Sequence, residues 1–298
     1  MSDLPSPVAE PLARAWTESE AFAYCRTLTL GHYENFPVGS MLMPPHLQPA
    51  VHSLYAFMRT ADDFSDEDRR PGDEAERLAW LTTWNAMLDE CLVGTPCHPI
   101  FIALKATLAR HDLPVQWLKD LLHAFEMDVT IRRYKTYADV LTYCRYSANP
   151  VGRLILTLFG YKDDALYGFS DAICTGLQLA NHWQDVAVDL KKDRIYLPQD
   201  DMARFDVSEK NLPEGIRGPG FHALLSYEVE RARQLFLQGK PLLLCVQGRL
   251  KWELKLTWNG GWRILEKIEN ADFDVFNRRP ILTKWDAALL ATRVLSPR

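Results

Sequence analysis

The sequence predicts an all-α protein, a single-domain helical bundle. Three observations lead there. Apolar residues recur at the three- and four-residue spacing of a helix through most of the chain. The period-two alternation of a half-buried strand is missing, as is a glycine-rich phosphate loop. The breaks are short and carry proline and glycine, so no long polar linker divides the chain. Residues 1–17 read as a flexible N-terminal segment and 18–298 as one domain.

Taken in order, helical spacing covers 18–30, 46–67, 74–92, 99–111, 115–132, 137–159, 165–191, 220–244 and 248–269, with a last helix near 282–294. Pro44-Pro45-His46 precedes the second segment, and "RRPGDE" at 69–74 separates it from the third. "GTPCHP" at 94–99 sets off the fourth, and "LPEGIRGPG" at 212–220 closes the long stretch before the helix starting near 220. Thr136 with Asp139 has the pattern of a capping box, Asp standing in for the usual Glu, which starts a helix at 137.

Composition narrows the class. The chain has 298 residues, 47% hydrophobic and 24% charged, enough for a sizeable core. A formal net charge of −5 excludes a general nucleic-acid footprint. The cysteines are scattered without a CxxC pair, which argues against a disulfide scaffold or zinc knuckle and suits a reducing compartment. The N-terminus lacks a basic-then-apolar signal pattern, and no apolar run approaches the ~18 residues of a membrane span. The expectation is a cytoplasmic protein, with peripheral contact at the inner membrane face open to it.

Two acidic stripes stand out. In "NHWQDVAVD" at 181–189, Asn181, Asp185 and Asp189 recur every fourth residue in apolar sequence. A step of four turns a helix by only about 40°, so the three oxygens share one face. In "RTADDFSDE" at 59–67, Asp62 and Asp66 are likewise one turn apart, with Asp63 beside them and Arg59 a turn earlier. A lone DxxxD is more often a solvated helix end. Two such stripes in apolar helices, if they face each other, form an all-oxygen cage suited to Mg²⁺, and bundles commonly build ligand sites from facing helices. A cage of this type needs an anionic substrate. Arg59 and Arg194 can bind diphosphate oxygens bidentately, and "RIYLPQDD" reads as a loop over the site, Tyr196 adding a hydroxyl.

The motifs Tyr55-Ala-Phe-Met-Arg59-x-x-Asp62-Asp63-x-x-Asp66 and Gln178-x-x-Asn181-x-x-x-Asp185-x-x-x-Asp189 resemble those of the squalene and phytoene synthases. The likeness continues through Tyr143, Gly152, "DRIYLP" and "GGWRILEKIE" at 260–269. It implies an isoprenoid synthase fold, similar to the trans-isoprenyl diphosphate synthases, with a central cavity. It also implies two or three Mg²⁺ ions on Asp62, Asp66, Asn181, Asp185 and Asp189, which ionise a prenyl diphosphate whose carbocation rearranges in an apolar pocket. Arg59, Arg194, Tyr196 and Asn35 are then diphosphate contacts. His32, Phe36, Tyr55, Tyr143 and Gln178 line the substrate pocket, with Phe57 and Tyr146 further wall candidates by placement. Physically, diphosphate leaves only once its charge is neutralised, and the cation must be kept from stray water.

Three details resemble the hydroxysqualene-forming branch of bacterial members: "ENFPV" at 34–38, "SANPVGR" at 147–153 and "NHWQDVA" at 181–187. Where related enzymes often carry His-Ser-Lys-Ser-Phe, this chain keeps His32 and Phe36 but has Tyr33, Glu34 and Asn35 between them. Gln184 stands where Arg is usual, and Gly261-Trp262 where a Tyr often precedes the "xxIL" motif. Glu34 and Gln184 both subtract positive charge, which fits a substrate with one diphosphate. The expected reaction is therefore presqualene diphosphate to hydroxysqualene, for squalene or hopanoid supply. Glu34 and Tyr33 would position the water, no nicotinamide would be needed, and product would pass to a downstream redox enzyme. Head-to-head condensation of two farnesyl diphosphates is the alternative within the family. A non-catalytic helical partner protein of the same fold is the alternative from another class, disfavoured because the expected ligands all stand. "RLKWELKLTWNGGWRILEK" at 249–267 interleaves Trp252, Trp258 and Trp262 with basic residues. It reads either as a membrane-interface stripe or as a core helix with a basic back.

Overall fold

Helices follow one another as the apolar spacing dictates. The computed structural model describes residues 9–31, 43–66, 73–212 and 219–295. Among these residues the regular structure is helical, apart from an isolated parallel bridge between Arg133 and Ile195. Part of the N-terminal segment expected to be flexible is folded: Glu10–Ala13 forms a 3₁₀ turn, and the Trp16 indole donates to the Pro11 carbonyl at 2.7 Å. The helices group into two compact units, one reaching Thr130 and including Thr157–Gly160, the other made of Ile131–Leu156 and the chain from Tyr161 onward.

The first unit holds α1 (Glu18–Gly31), α2 (Gln48–Ser65), α3 (Glu74–Val93), α4 (Pro99–His111) and α5 (Val115–Thr130). Helix α2 packs on α1, α3, α4 and α5, so nearly its whole surface is covered. Its apolar side meets an aromatic core in which Trp84 stacks on Phe57 at 5.9 Å and lies 4.5 Å from Phe101, with Phe64 at 5.7 Å. Full burial of such a ring stabilises by roughly 1.5–3 kcal/mol. Phe57 has no exposed surface, so it is a core ring and the expectation that it lines a pocket is corrected. Helix α3 starts at Asp73, whose side chain accepts from the Glu76 amide, and α4 starts at His98 with Pro99 as its first residue.

The second unit holds α6 (Tyr137–Ser147), α7 (Asn149–Leu158, whose last residues join the first unit), α8 (Asp164–Lys191), α9 (Gln199–Arg204), α10 (Pro219–Gly239), α11 (Leu242–Cys245), α12 (Gly248–Asn270) and α13 (Lys284–Leu295). The capping box at Thr136 forms with both of its backbone bonds, 3.2 Å to the Asp139 amide and 2.9 Å back to the Thr136 amide. Two expected long helices are each divided. The 137–159 segment breaks at Ala148, because Pro150 has no amide to donate to the Tyr146 carbonyl one turn back. The 220–244 segment breaks before Pro241 for the same reason, leaving α11 as a separate turn. The "PQDD" stretch expected as loop forms α9.

Helix α8 is the spine of this unit, packed on α6, α10, α11 and α12. Close approach is set by small residues. A Cβ on Gly152 would meet Ser170 Oγ and lie 2.6 Å from Cys174 Sγ, and one on Gly261 would lie 2.5 Å from the Phe236 ring. The stripe at 249–267 is a core helix. Trp258 is buried, its indole donating to the Phe236 carbonyl at 2.8 Å, and Trp262 stacks on it at 5.0 Å, leaving Trp252 as the exposed tryptophan of the three. Among the described residues no helix is long and apolar enough to cross a membrane.

Candidate active site

The first acidic stripe occupies the C-terminal end of α2. Carboxylates there face the negative end of the helix dipole, an unfavourable place without nearby cations. Two arginines supply them. Arg59 is 8% exposed and reaches Asp62 with Nη1 and Asp63 with Nη2, both at 2.9 Å. Arg77 on α3 is buried and donates to the Ser65 carbonyl at 3.1 Å, covering an otherwise open helix end. Asp66 is the residue just past the helix, in extended geometry, its amide still bonded to the Asp62 carbonyl at 3.1 Å. The one-turn spacing of Asp62 and Asp66 therefore straddles the helix end, with Asp62 in the last turn and Asp66 as its C-terminal cap. Tyr55, one turn before Arg59, has its phenol pushed up by burial, with Asp62 and Asp63 adding and Arg59 opposing.

The second stripe lies within the last turns of α8 and keeps its regular spacing. Asn181 is exposed, Asp185 buried and Asp189 intermediate. Asn181 Nδ2 donates to Asp185 Oδ2 at 3.3 Å. The main partner of Asp185 comes from far along the chain: Arg279 donates from Nε at 2.6 Å and from Nη2 at 3.0 Å, a bidentate fork. Asp185 and then Asp189 hold this guanidinium above its ordinary value. Sequence reasoning missed Arg279; the only signal was the Arg278-Arg279 pair before Pro280.

The "DRIYLP" segment leaves α8 through Asp193 in the left-handed region at φ 55°. Its amides then run along residues 132–135, from Ile195 to the Arg132 carbonyl at 3.0 Å and from Gln199 to the Tyr134 carbonyl at 2.9 Å. Arg133 clamps it, bonding Asp193 Oδ1 at 2.6 Å and Glu209 at 2.9 Å. Tyr196 stacks face to face on His182 at 3.7 Å, with Tyr134 and Tyr143 at 5.5 and 5.6 Å. Burial pushes the His182 imidazole down to about 3, so it stays neutral. Gln178, expected in the substrate pocket, is 3.4 Å from that imidazole, and Tyr143 is a buried member of the same aromatic cluster. Arg194 and Asp189 border a pocket of about 10 Å³ beneath Tyr196, room for about one water. Tyr146 is half-buried under the Arg145 guanidinium. His32, Tyr33, Glu34, Asn35 and Phe36 lie outside the described residues.

The first stripe offers carboxylate oxygens and the second carboxylate and amide oxygens, the donor set a hard cation prefers. Each already draws a guanidinium onto its carboxylates, the response of an acidic site that favours positive charge. Among the described residues no three His, Cys, Asp or Glu side chains are gathered closely enough to hold a metal ion by themselves. The donor set thus fits ions whose remaining ligands are substrate oxygens and water.

The squalene/phytoene synthase family model matches residues 30–286. The chain belongs to the squalene/phytoene synthase family. Among family members it is 35% identical to a hydroxysqualene synthase of Rhodopseudomonas palustris, over 80% of either chain. It is 29% identical to a phytoene synthase of Arthrospira platensis, over 90% of either chain. A solved squalene synthase, HpnC from Alicyclobacillus acidocaldarius, superposes with a TM-score of 0.80 at 38% identity, covering 91% of this chain and 98% of that one. The fold is that of the family's isoprenoid synthases, and the chain is an enzyme of that class.

Proposed function

We propose that this enzyme ionises presqualene diphosphate and adds water to the rearranged cation, giving hydroxysqualene and diphosphate. The observation that carries the reading is the uncharged Gln184 next to Asp185, where the family usually has an arginine. One cation fewer beside the second stripe suits a substrate with one diphosphate better than two substrates with one each. The R. palustris relative, 35% identical over 80% of the chain against 29% over 90% for the A. platensis phytoene synthase, supports the same choice by identity.

Asp62, Asp66, Asn181, Asp185 and Asp189 are assigned to Mg²⁺. When bound, the metal supplies the positive charge that makes diphosphate a competent leaving group. Arg59, Arg194 and Tyr196 bind its oxygens, with Asn35 a further contact. A cation held by Asp185 would compete with the Arg279 fork for the same two oxygens. The C–O bond breaks with its electron pair leaving on diphosphate. The cyclopropylcarbinyl cation rearranges, a water oxygen adds, and the extra proton passes to solvent, with Glu34 and Tyr33 assigned to place that water. His182, held neutral, adds no competing positive charge. Tyr55 and Tyr143, with His32, Phe36 and Gln178, are assigned to the substrate pocket. A lipid substrate and product make the membrane face a natural source and sink, and a redox enzyme the natural next step.

The test supplies each substrate separately with Mg²⁺. Presqualene diphosphate alone should yield hydroxysqualene without reduced nicotinamide. Efficient consumption of farnesyl diphosphate instead would favour the head-to-head condensation that the phytoene synthase relatives suggest.

A further inference from the structure

Behind the second stripe, three ionisable side chains share a buried place that the reaction above does not use. Glu228 on α10 is fully buried, Asp201 on α9 is 5% exposed, and Arg231 lies one turn along from Glu228. Arg231 Nη1 donates to Asp201 Oδ2 at 2.6 Å and to Glu228 Oε1 at 3.1 Å. Its guanidinium also sits 4.0 Å from the Tyr137 ring and 4.3 Å from the Tyr227 ring. Glu228 Oε2 has no hydrogen-bond partner among the described residues. Two carboxylates and one guanidinium leave an excess negative charge in a desolvated place, a costly arrangement. A proton on Glu228 removes that charge and turns Oε2 into a donor with Asp201 as the neighbouring acceptor. Burial pushes the Glu228 carboxyl up to about 8, Arg231 opposing and Asp201 adding. The Tyr137 phenol on α6 couples to Glu228, with the Cys144 thiol beside it, and Tyr227 on α10 lies under Arg231 and under Arg204 of α9, the latter at 4.8 Å. From α8 the uncharged Trp183 indole donates through Nε1 to the backbone carbonyl of Glu228 at 3.2 Å.

The triad joins the two halves of the second stripe's surroundings. Asp201 sits just beyond the Arg194–Tyr196 segment, and Trp183 lies between Asn181 and Asp185. We propose that Asp201, Arg231 and Glu228 form a proton-dependent latch that holds the 194–204 segment against α8 and α10, with Glu228 as a positioning residue that does not touch substrate. Its catalytic consequence rests on the reading that Arg194 and Tyr196 serve the diphosphate; the latch itself does not.

The sign follows from proton linkage. In the closed segment Glu228 keeps its proton up to about pH 8, whereas once exposed to water it returns to its ordinary value of 4.5. Opening therefore releases a proton between those limits. The latch weakens as pH rises through that window, by up to about tenfold per pH unit, and levels off above it.

Hydrogen exchange of the 195–204 amides in the full ligand-free chain, corrected for intrinsic rates, reads this directly. In the wild type the opening constant should rise about tenfold per unit between roughly pH 6 and 8. Glu228→Gln, which mimics the protonated acid, should flatten the slope while keeping turnover at neutral pH. Asp201→Asn removes the competing carboxylate and should shallow the slope. Turnover of the wild type should fall several-fold on the alkaline side, and that of Glu228→Gln should not. Identical slopes in wild type and both variants would overturn the latch. A slope abolished by Glu228→Gln, together with coincident rate profiles, would uphold the latch and overturn the role of Arg194 and Tyr196.

Discussion

The two acidic stripes meet the same difficulty, carboxylates crowded one turn apart, with arginines from different distances. At the end of α2 the compensating cation is Arg59, three and four residues before the acids it binds. On α8 it is Arg279, 94 residues beyond Asp185. The first arrangement is built into one helix and is present whenever that helix forms. The second exists only after the 279–286 segment has docked. Docking is secured by Asp286, which is 4% exposed at its side chain and accepts from Arg263 at 2.7 Å and Lys267 at 2.6 Å on α12. A local clamp is a fixed part of its site, whereas a long-range clamp can be withdrawn.

Removing the acids themselves gives the largest expected effect. Asp185→Ala and Asp62→Ala should each cut kcat by about 10²–10³ or more, since charge stabilisation of the leaving group is lost. Circular dichroism should show both folds intact. EDTA should abolish wild-type turnover and Mg²⁺ restore it; full activity after metal removal would refute the metal assignment for both stripes.

Next comes Arg194→Lys, which keeps the charge but loses the fork. A charge-assisted bond to a buried anion is worth about 1.5–3 kcal/mol, so kcat/KM should drop by roughly ten- to a hundredfold. Unchanged kinetics would remove Arg194 from the diphosphate site.

The contrast between clamps is sharpened by pairing Arg59→Gln with Arg279→Gln and titrating Mg²⁺ at a fixed, saturating concentration of inorganic diphosphate. Freeing Asp185 from its fork should lower the half-saturating Mg²⁺ concentration several-fold, because a competing cation is gone. Arg59→Gln should instead lower thermal stability, since Arg59 is buried at a helix end that lacks other local cations of its own helix. Equal responses of the two variants would mean that distance along the chain does not matter here.

The smallest effect concerns the frame. Helix α6, beside the second stripe, is opened by a capping box, whereas α2 has no side-chain cap at its start. Thr136→Ala should cost about 1 kcal/mol and leave kcat unchanged. A calorimetric melting temperature lower by a few degrees would confirm it.

The sequence by itself determined the helical class, the start of α6 at its capping box and the acidic motifs, because each is encoded within a few consecutive residues. It also carried the family, through motifs whose spacing is fixed along single helices. Its errors are local conflicts that apolar spacing does not report. Pro150 and Pro241 divide helices whose hydrophobic period runs on unbroken, and Asp66 falls just outside the helix whose register it continues. Only the tertiary structure decided that Phe57 is core, that Trp258 is buried, and that Tyr196 stacks on His182. The same holds for Arg279 on Asp185 and for Arg231 between Asp201 and Glu228. Arg279 and Asp185 lie 94 positions apart and Arg231 and Asp201 lie 30 apart, and an arginine or a carboxylate has no periodicity to announce so distant a partner. Whether such a group ends in water or in a buried network depends on what packs over it, and that is fixed only when the helices meet.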